Sequence, residues 1–173
     1  IYSVAHKIPT IFTTVMSIFT QAWQISAIAN YGSDDESQYH TVIYSGLNII
    51  SVIGCLFVIL LSKWFAAFLF AKDFYVAWRY VPLLTVSAMF ASHGGFLASS
   101  FRAAKKTKSL FGSVLLGSVI NVGLNWTLIP RYGALGAAVA TSISFTVIWL
   151  VRFVLSQSIV EIKINKVATF FTY

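Results

Sequence analysis

Acidic side chains are scarce. Asp and Glu total five among 173 residues, at positions 34, 35, 36, 73 and 161. None lies inside an apolar run. Metal-dependent group transfer and acid–base hydrolysis need carboxylates at the reacting centre, so no enzyme signature can be written and the chain is expected not to be an enzyme. A proton-driven carrier commonly keeps an Asp or Glu within the membrane; coupling to H+ or Na+ would therefore need a residue outside this sequence, and no cofactor is expected. Cysteine is limited to Cys55, which excludes an intrachain disulfide. His6, His40 and His93 are too far apart in sequence to make a local ligand cluster with it, so no metal site is expected.

Charge of any sign is sparse, at 10% of residues, while 58% are hydrophobic and the mean hydropathy is +0.80. A water-soluble domain of this length needs a charged surface that this composition cannot supply. The net charge of +7 invites a nucleic-acid reading. Yet the basic residues sit between apolar runs and not along one face, which membrane topology explains and nucleic-acid binding does not.

Apolar runs of the length needed to cross a hydrocarbon core of roughly 30 Å recur five times, at about Val4–Ile28, Val42–Ser62, Tyr80–Phe101, Leu110–Ile129 and Ala134–Leu155. The predicted fold class is thus all-α, a polytopic membrane helix bundle. The last two runs are joined by Pro130-Arg131-Tyr132-Gly133, read as a tight turn. The chain starts at Ile1 without Met and ends in a further apolar stretch, Val167–Tyr173, so it is expected to be a fragment of a longer protein, truncated at both ends.

Orientation follows from the loops. One side collects Arg102, Lys105, Lys106, Lys108, Arg152, Lys163 and Lys166; the other holds Lys7, Lys63, Lys72, Arg79 and Arg131. Four cations concentrated in one short loop carry the most weight for cytoplasmic placement. Trp64, Trp78 and Trp126 fall at span ends on the opposite side, where amphipathic rings favour the headgroup region. Asp34, Asp35 and Glu36 read as a solvated loop.

Polar residues inside the spans carry the functional interest. Lys7, Thr10, Thr14, Ser17, Gln21 and Gln24 follow steps of three and four, one continuous stripe on a helix. Facing lipid, such a stripe is unfavourable, with a central Lys costing about 2.5–3.5 kcal/mol. It is expected to face protein or a water-filled cavity, either as a path for a polar substrate or as amides bonding neighbouring helices while Lys7 snorkels. Pro9 suggests a kink near the outer end. Ser113, Gly117, Asn121 and Asn125 form a second stripe at steps of four, and Gly136, Ala137, Ala140, Thr141 and Ser144 are small residues suited to close helix approach. Asn121 and Asn125 fit substrate contact and interhelical bonding equally. His93-Gly94-Gly95 interrupts the third span, as hydrogen-bonded structure or as a bending point. Arg102 sits at the cytoplasmic mouth, placed to meet a phosphate or to serve as an ordinary positive-inside residue.

Four segments carry a resemblance: IYSVAHKIP with QAWQISAI, FYVAWRYVPLL, SFRAAKKTK and LNWTLIPRYGALGAAVATSISF. Together they look like the C-terminal half of a bacterial polysaccharide flippase of the O-antigen and capsule type, within the multidrug/oligosaccharidyl-lipid/polysaccharide exporter superfamily. The last segment is common across the superfamily, whereas the QAWQISAI and FYVAWRYVP blocks are more particular to the polysaccharide branch. The resemblance implies a MATE-like transporter of two helix bundles in the bacterial plasma (inner) membrane, multi-pass. Its substrate would be undecaprenyl-diphosphate-linked oligosaccharide, moved between leaflets by alternating access. Lys7 would meet the diphosphate and the stripe amides the sugars. Polysaccharide polymerase and chain-length proteins are the implied partners, besides the lipid bilayer. A cation-coupled multidrug antiporter of the same fold is the alternative; an integral-membrane glycan polymerase or ligase fits less well, since the outer loops are short.

Overall fold

In the computed structural model the described residues are 2–29, 31–32, 36–69 and 72–159. Asp34, Asp35, Glu161, Lys163, Lys166 and the terminal apolar stretch lie outside them. Helices α1 (Tyr2–Ala5), α2 (Lys7–Ala29), α3 (Glu36–Leu60), α4 (Ser62–Leu69), α5 (Val81–Ala103), α6 (Thr107–Tyr132) and α7 (Ala134–Ser156) follow in order, with a 3-10 helix at Lys72–Arg79 leading into α5. Five of these segments are long and apolar enough to cross a membrane: Ser3–Ala29, Ser37–Leu60, Val81–Ala103, Thr107–Tyr132 and Ala134–Ser156.

The ends of these segments have local causes. Pro9 has no amide hydrogen to offer Ala5, and the helix is interrupted one residue later at His6, between α1 and α2. The expected kink is this break. Helix α3 starts at Glu36, ahead of the expected Val42, and one polar residue of its first turns is core: His40 is buried and stands edge-on to Trp23, centroids 4.7 Å apart. The α3 to α4 break falls at Leu61.

At its C-terminus α5 closes with Lys105 N–H donating to Arg102 O (3.1 Å) and Lys106 N–H to Phe101 O (2.8 Å), while Lys105 takes φ +55°. This is the paired closure usually made with Gly in the left-handed position.

The expected turn at Pro130–Gly133 is tighter than the sequence suggested. Helix α6 runs through Pro130 to Tyr132, and the reversal is made by Gly133 alone, at φ +55° and ψ −131°. Proline removes one helical hydrogen bond near the end of α6, where few remain to be lost. Side chains rarely reach the Gly133 conformation.

Helix α5 is central. It packs on α2, α3 and α7, and 61% of its apolar window is buried, against 11–28% for the other four spans. Helix α6 is held mainly by α7. That contact uses the small residues: Ser113 and Gly117 of α6, and Gly136, Ala140 and Ser144 of α7, are all buried. Large apolar side chains such as Trp126, 83% exposed, and Leu60, 80% exposed, point outward, where hydrocarbon and not water is the matching medium.

A Cβ at Gly136 would stand 2.5 Å from the Leu128 carbonyl oxygen, whereas one at Gly123 would meet nothing within 4 Å. Gly136→Ala is therefore expected to lower stability by about 1–3 kcal/mol. Gly123→Ala should stay within about 0.5 kcal/mol of the parent. Thermal unfolding of the two variants in detergent micelles distinguishes them; equal midpoints would contradict the close α6–α7 approach.

Candidate functional site

The first polar stripe lies on the outer face of α2. Lys7, Thr10, Thr14, Ser17 and Gln21 are exposed and Gln24 is half-buried. No described element covers the stripe along its length; of the two environments expected for it, protein or a water-filled cavity, the described helices supply protein only near Gln24. Its hydroxyls, however, are satisfied on their own helix. Thr10 donates to His6 O, Thr14 to Thr10 O and Ser17 to Thr14 O, at 2.7, 2.8 and 2.8 Å. Such back-bonding removes most of the need for an external partner. The amides and Lys7 cannot do this.

Gln24 finds a partner across the seam with α5, where Arg102 Nη1 donates to its Oε1 at 2.9 Å. The stripe and the expected mouth residue thus meet in one place. Thr13, Ser17, Thr20, Gln21 and Gln24 of α2, with Ala91, Ser92, Gly95 and Arg102 of α5, line a cavity of about 380 Å³ open to the outside of the bundle. Gly95 lies on its wall, where a Cβ would stand in ordinary contact with Thr20 at 3.7 Å. Cation, amides and hydroxyls in one cleft can bind an anion together with a polyhydroxylated group.

Other expected residues are not brought there. Lys7 begins α2, and Gln24 follows 17 positions later, so the two lie about 25 Å apart along the axis. Asn125 Nδ2 donates to Asn121 Oδ1 at 2.9 Å, a bond within α6, and neither residue lines the cavity. Asn125 instead lines a separate groove on α6 with Val122, Trp126, Ile129 and Pro130.

Helix α5 passes unbroken through His93, Gly94 and Gly95. His93 is wholly buried, with Nε2 3.1 Å from Ser51 Oγ. Gly94 is a contact point: its carbonyl oxygen accepts from Arg152 Nη1 at 2.8 Å. The bending point is not present in this conformation.

Among the described residues no group of three His, Cys, Asp or Glu is placed to hold a metal ion. No family model matches the chain, and no curated protein or solved structure is significantly similar to it.

What holds the cleft is an aromatic core. Trp23 of α2 stacks on Phe96 of α5 with centroids 4.6 Å apart and planes 16° from parallel. Tyr44 of α3 lies 5.4 Å from Phe96 and accepts a 3.0 Å hydrogen bond from Trp149 Nε1 of α7. Four spans are thereby linked, three of them directly at Phe96 and α7 through Tyr44, across the α2–α5 seam on which Arg102 and Gln24 face each other.

Arg152 is the residue whose bonds sequence reading missed. Counted only among the cations of the cytoplasmic side, it lies half-buried in the last turns of α7, bonding Gly94 O and, through Nε, Ser113 Oγ at 3.0 Å. It ties α5, α6 and α7 together. A signal was present: Ala140, Ser144, Ile148 and Arg152 recur at steps of four, the face that meets Ser113 and Gly117. Removing one partner of a buried hydrogen bond to a charged group costs about 1.5–3 kcal/mol, so Ser113→Ala and Arg152→Met should each destabilise on that scale. The double variant should cost less than the sum, which melting in detergent would reveal as a coupling of about 0.5 kcal/mol or more; strict additivity would argue against the bond.

Proposed function

We propose that the chain forms part of a transporter for lipid-linked oligosaccharides of the undecaprenyl-diphosphate class. It would move them across the bacterial plasma (inner) membrane by alternating access during O-antigen or capsule synthesis. The observation that carries this reading is the α2–α5 cleft. There a guanidinium and an amide share a hydrogen bond beside the hydroxyls of Ser17 and Ser92, while Ile11, Val15, Ile18 and Ile25 of the same α2 helix present an exposed apolar surface. Such a substrate joins a diphosphate, a glycan and a long hydrocarbon tail, and the cleft offers complementary groups to the first two.

Arg102, not Lys7, takes the role of diphosphate contact in this reading, because Arg102 lines the cleft and Lys7 does not. A planar guanidinium also suits phosphate oxygens through paired donors. Gln21 and Gln24 are the sugar contacts. The resemblance of QAWQISAI and FYVAWRYVPLL to the polysaccharide branch supports the same assignment.

In the full-length protein, expressed in a strain lacking its own copy, Arg102→Gln should cut surface polysaccharide about tenfold or more, the weight of one lost charged hydrogen bond. Arg102→Lys should retain part of the activity by keeping the charge. Immunoblots of surface polysaccharide, normalised to the amount of protein in the membrane, read both. Wild-type export by Arg102→Gln at wild-type abundance would sink the proposal.

A further inference from the structure

A second cavity, of about 560 Å³, lies between α2 and α3 and differs from the first in chemistry: its walls are almost wholly apolar. Its volume falls within the range of small-ligand sites. Ile11 and Val15 form the α2 wall and Phe57 lies on the α3 wall. Gly54 makes the back of the groove, where a Cβ would come within 3.1 Å of a Phe12 ring carbon. Beyond the break at Leu61, α4 lines one end of the groove, with Trp64 and Phe68 stacked at 6.1 Å, planes 6° apart, and both largely exposed. With five helices long and apolar enough to cross a bilayer, a groove open on the outside of the bundle meets hydrocarbon.

The α4 end of the groove is also its charged end. Lys63 precedes Trp64 and holds its ammonium 4.7 Å from the Trp78 ring centroid. Lys7 precedes the groove residue Ile8, and Ile8 packs in one cluster with Ala66 and Phe65 of α4. Both cations therefore stand at the same end of the bundle, Lys63 beside a tryptophan ring of the type that settles at headgroup level, and both are exposed. Two ammonium groups above a hydrocarbon slot are complementary to a single amphiphile with an anionic head.

We propose that this groove is a binding site for an anionic phospholipid, one acyl chain lying between α2 and α3 and the phosphate held near Lys63 and Lys7. The site is independent of the transport reading. It gives Lys7 a role at the membrane surface that its distance from the Arg102 cleft leaves open.

Quenching of Trp64 tests it. The full-length protein is reconstituted in phosphatidylcholine vesicles carrying a fixed small fraction of either brominated phosphatidylglycerol or brominated phosphatidylcholine, and the Trp64→Phe variant supplies the signal to subtract. The expected result is preferential quenching of Trp64 by the brominated phosphatidylglycerol. The preference should fall about fivefold for each of Lys63→Gln and Lys7→Gln, at about 1 kcal/mol per lysine, and should weaken with salt. Gly54→Leu, which fills the groove, should remove it in a protein that still elutes as a folded species.

Equal quenching by the two brominated lipids would reduce the groove to ordinary lipid contact and overturn the proposal. Absence of Trp64 quenching would mean that protein covers it, also against the proposal. Relief of quenching by undecaprenyl phosphate, but not by unlabelled phosphatidylglycerol, would assign the groove to a polyprenyl chain instead.

Discussion

The stacking of Trp23 on Phe96 is the contact on which the rest depends. Phe96 lies at the middle of α5, with no exposed surface, and gathers Trp23 from α2 and Tyr44 from α3; Tyr44 in turn is bonded to Trp149 of α7. In a bilayer, burial of apolar surface does not drive helices together, since lipid is as apolar as leucine. Association must come from close packing, ring geometry and hydrogen bonds. That is the composition of this core.

Two kinds of helix contact divide the bundle. On the α2, α3 and α5 side large rings fill the space. On the α6 and α7 side Ser113, Gly117, Gly136, Ala140 and Ser144 bring backbones together, and Arg152 crosses the joint to Gly94 and Ser113. Helix α5 belongs to both sides, which is why it is the most buried span. It also carries Arg102 on the face toward α2, so the helix that organises the packing also supplies the cation of the cleft.

Much of this was legible in the residues. Apolar run length located the five spans to within a few positions, except where α3 begins. There His40 becomes core by meeting Trp23 edge-on, a contact that hydropathy counts as polar. The small-residue stripes of α6 and α7 were read correctly as packing faces. The polar stripe of α2 was seen as a stripe, but its environment was not: hydroxyls that bond their own helix leave Gln24 and its neighbours as the groups needing partners, and that partner lies 78 positions away in Arg102. Gly94 and Gly95 suggested a bend because glycine weakens a helix in isolation. In the bundle α5 runs through them unbroken, beside Arg152 and Thr20.

By itself the sequence determined what depends on near neighbours in the chain: the apolar lengths, the scarcity of acids, the charge bias of the loops and a reversal within Pro130–Gly133, which the structure narrows to Gly133. Tertiary structure alone decided which polar groups meet. Periodicity assigns a residue to a face, but not the identity of the helix opposite that face. The joining of Gln24 to Arg102, the capture of Arg152 by α5 and α6, and the separation of Lys7 and the Asn121–Asn125 pair from the cleft all follow from helix order and rotation, which are set by long-range packing around Phe96.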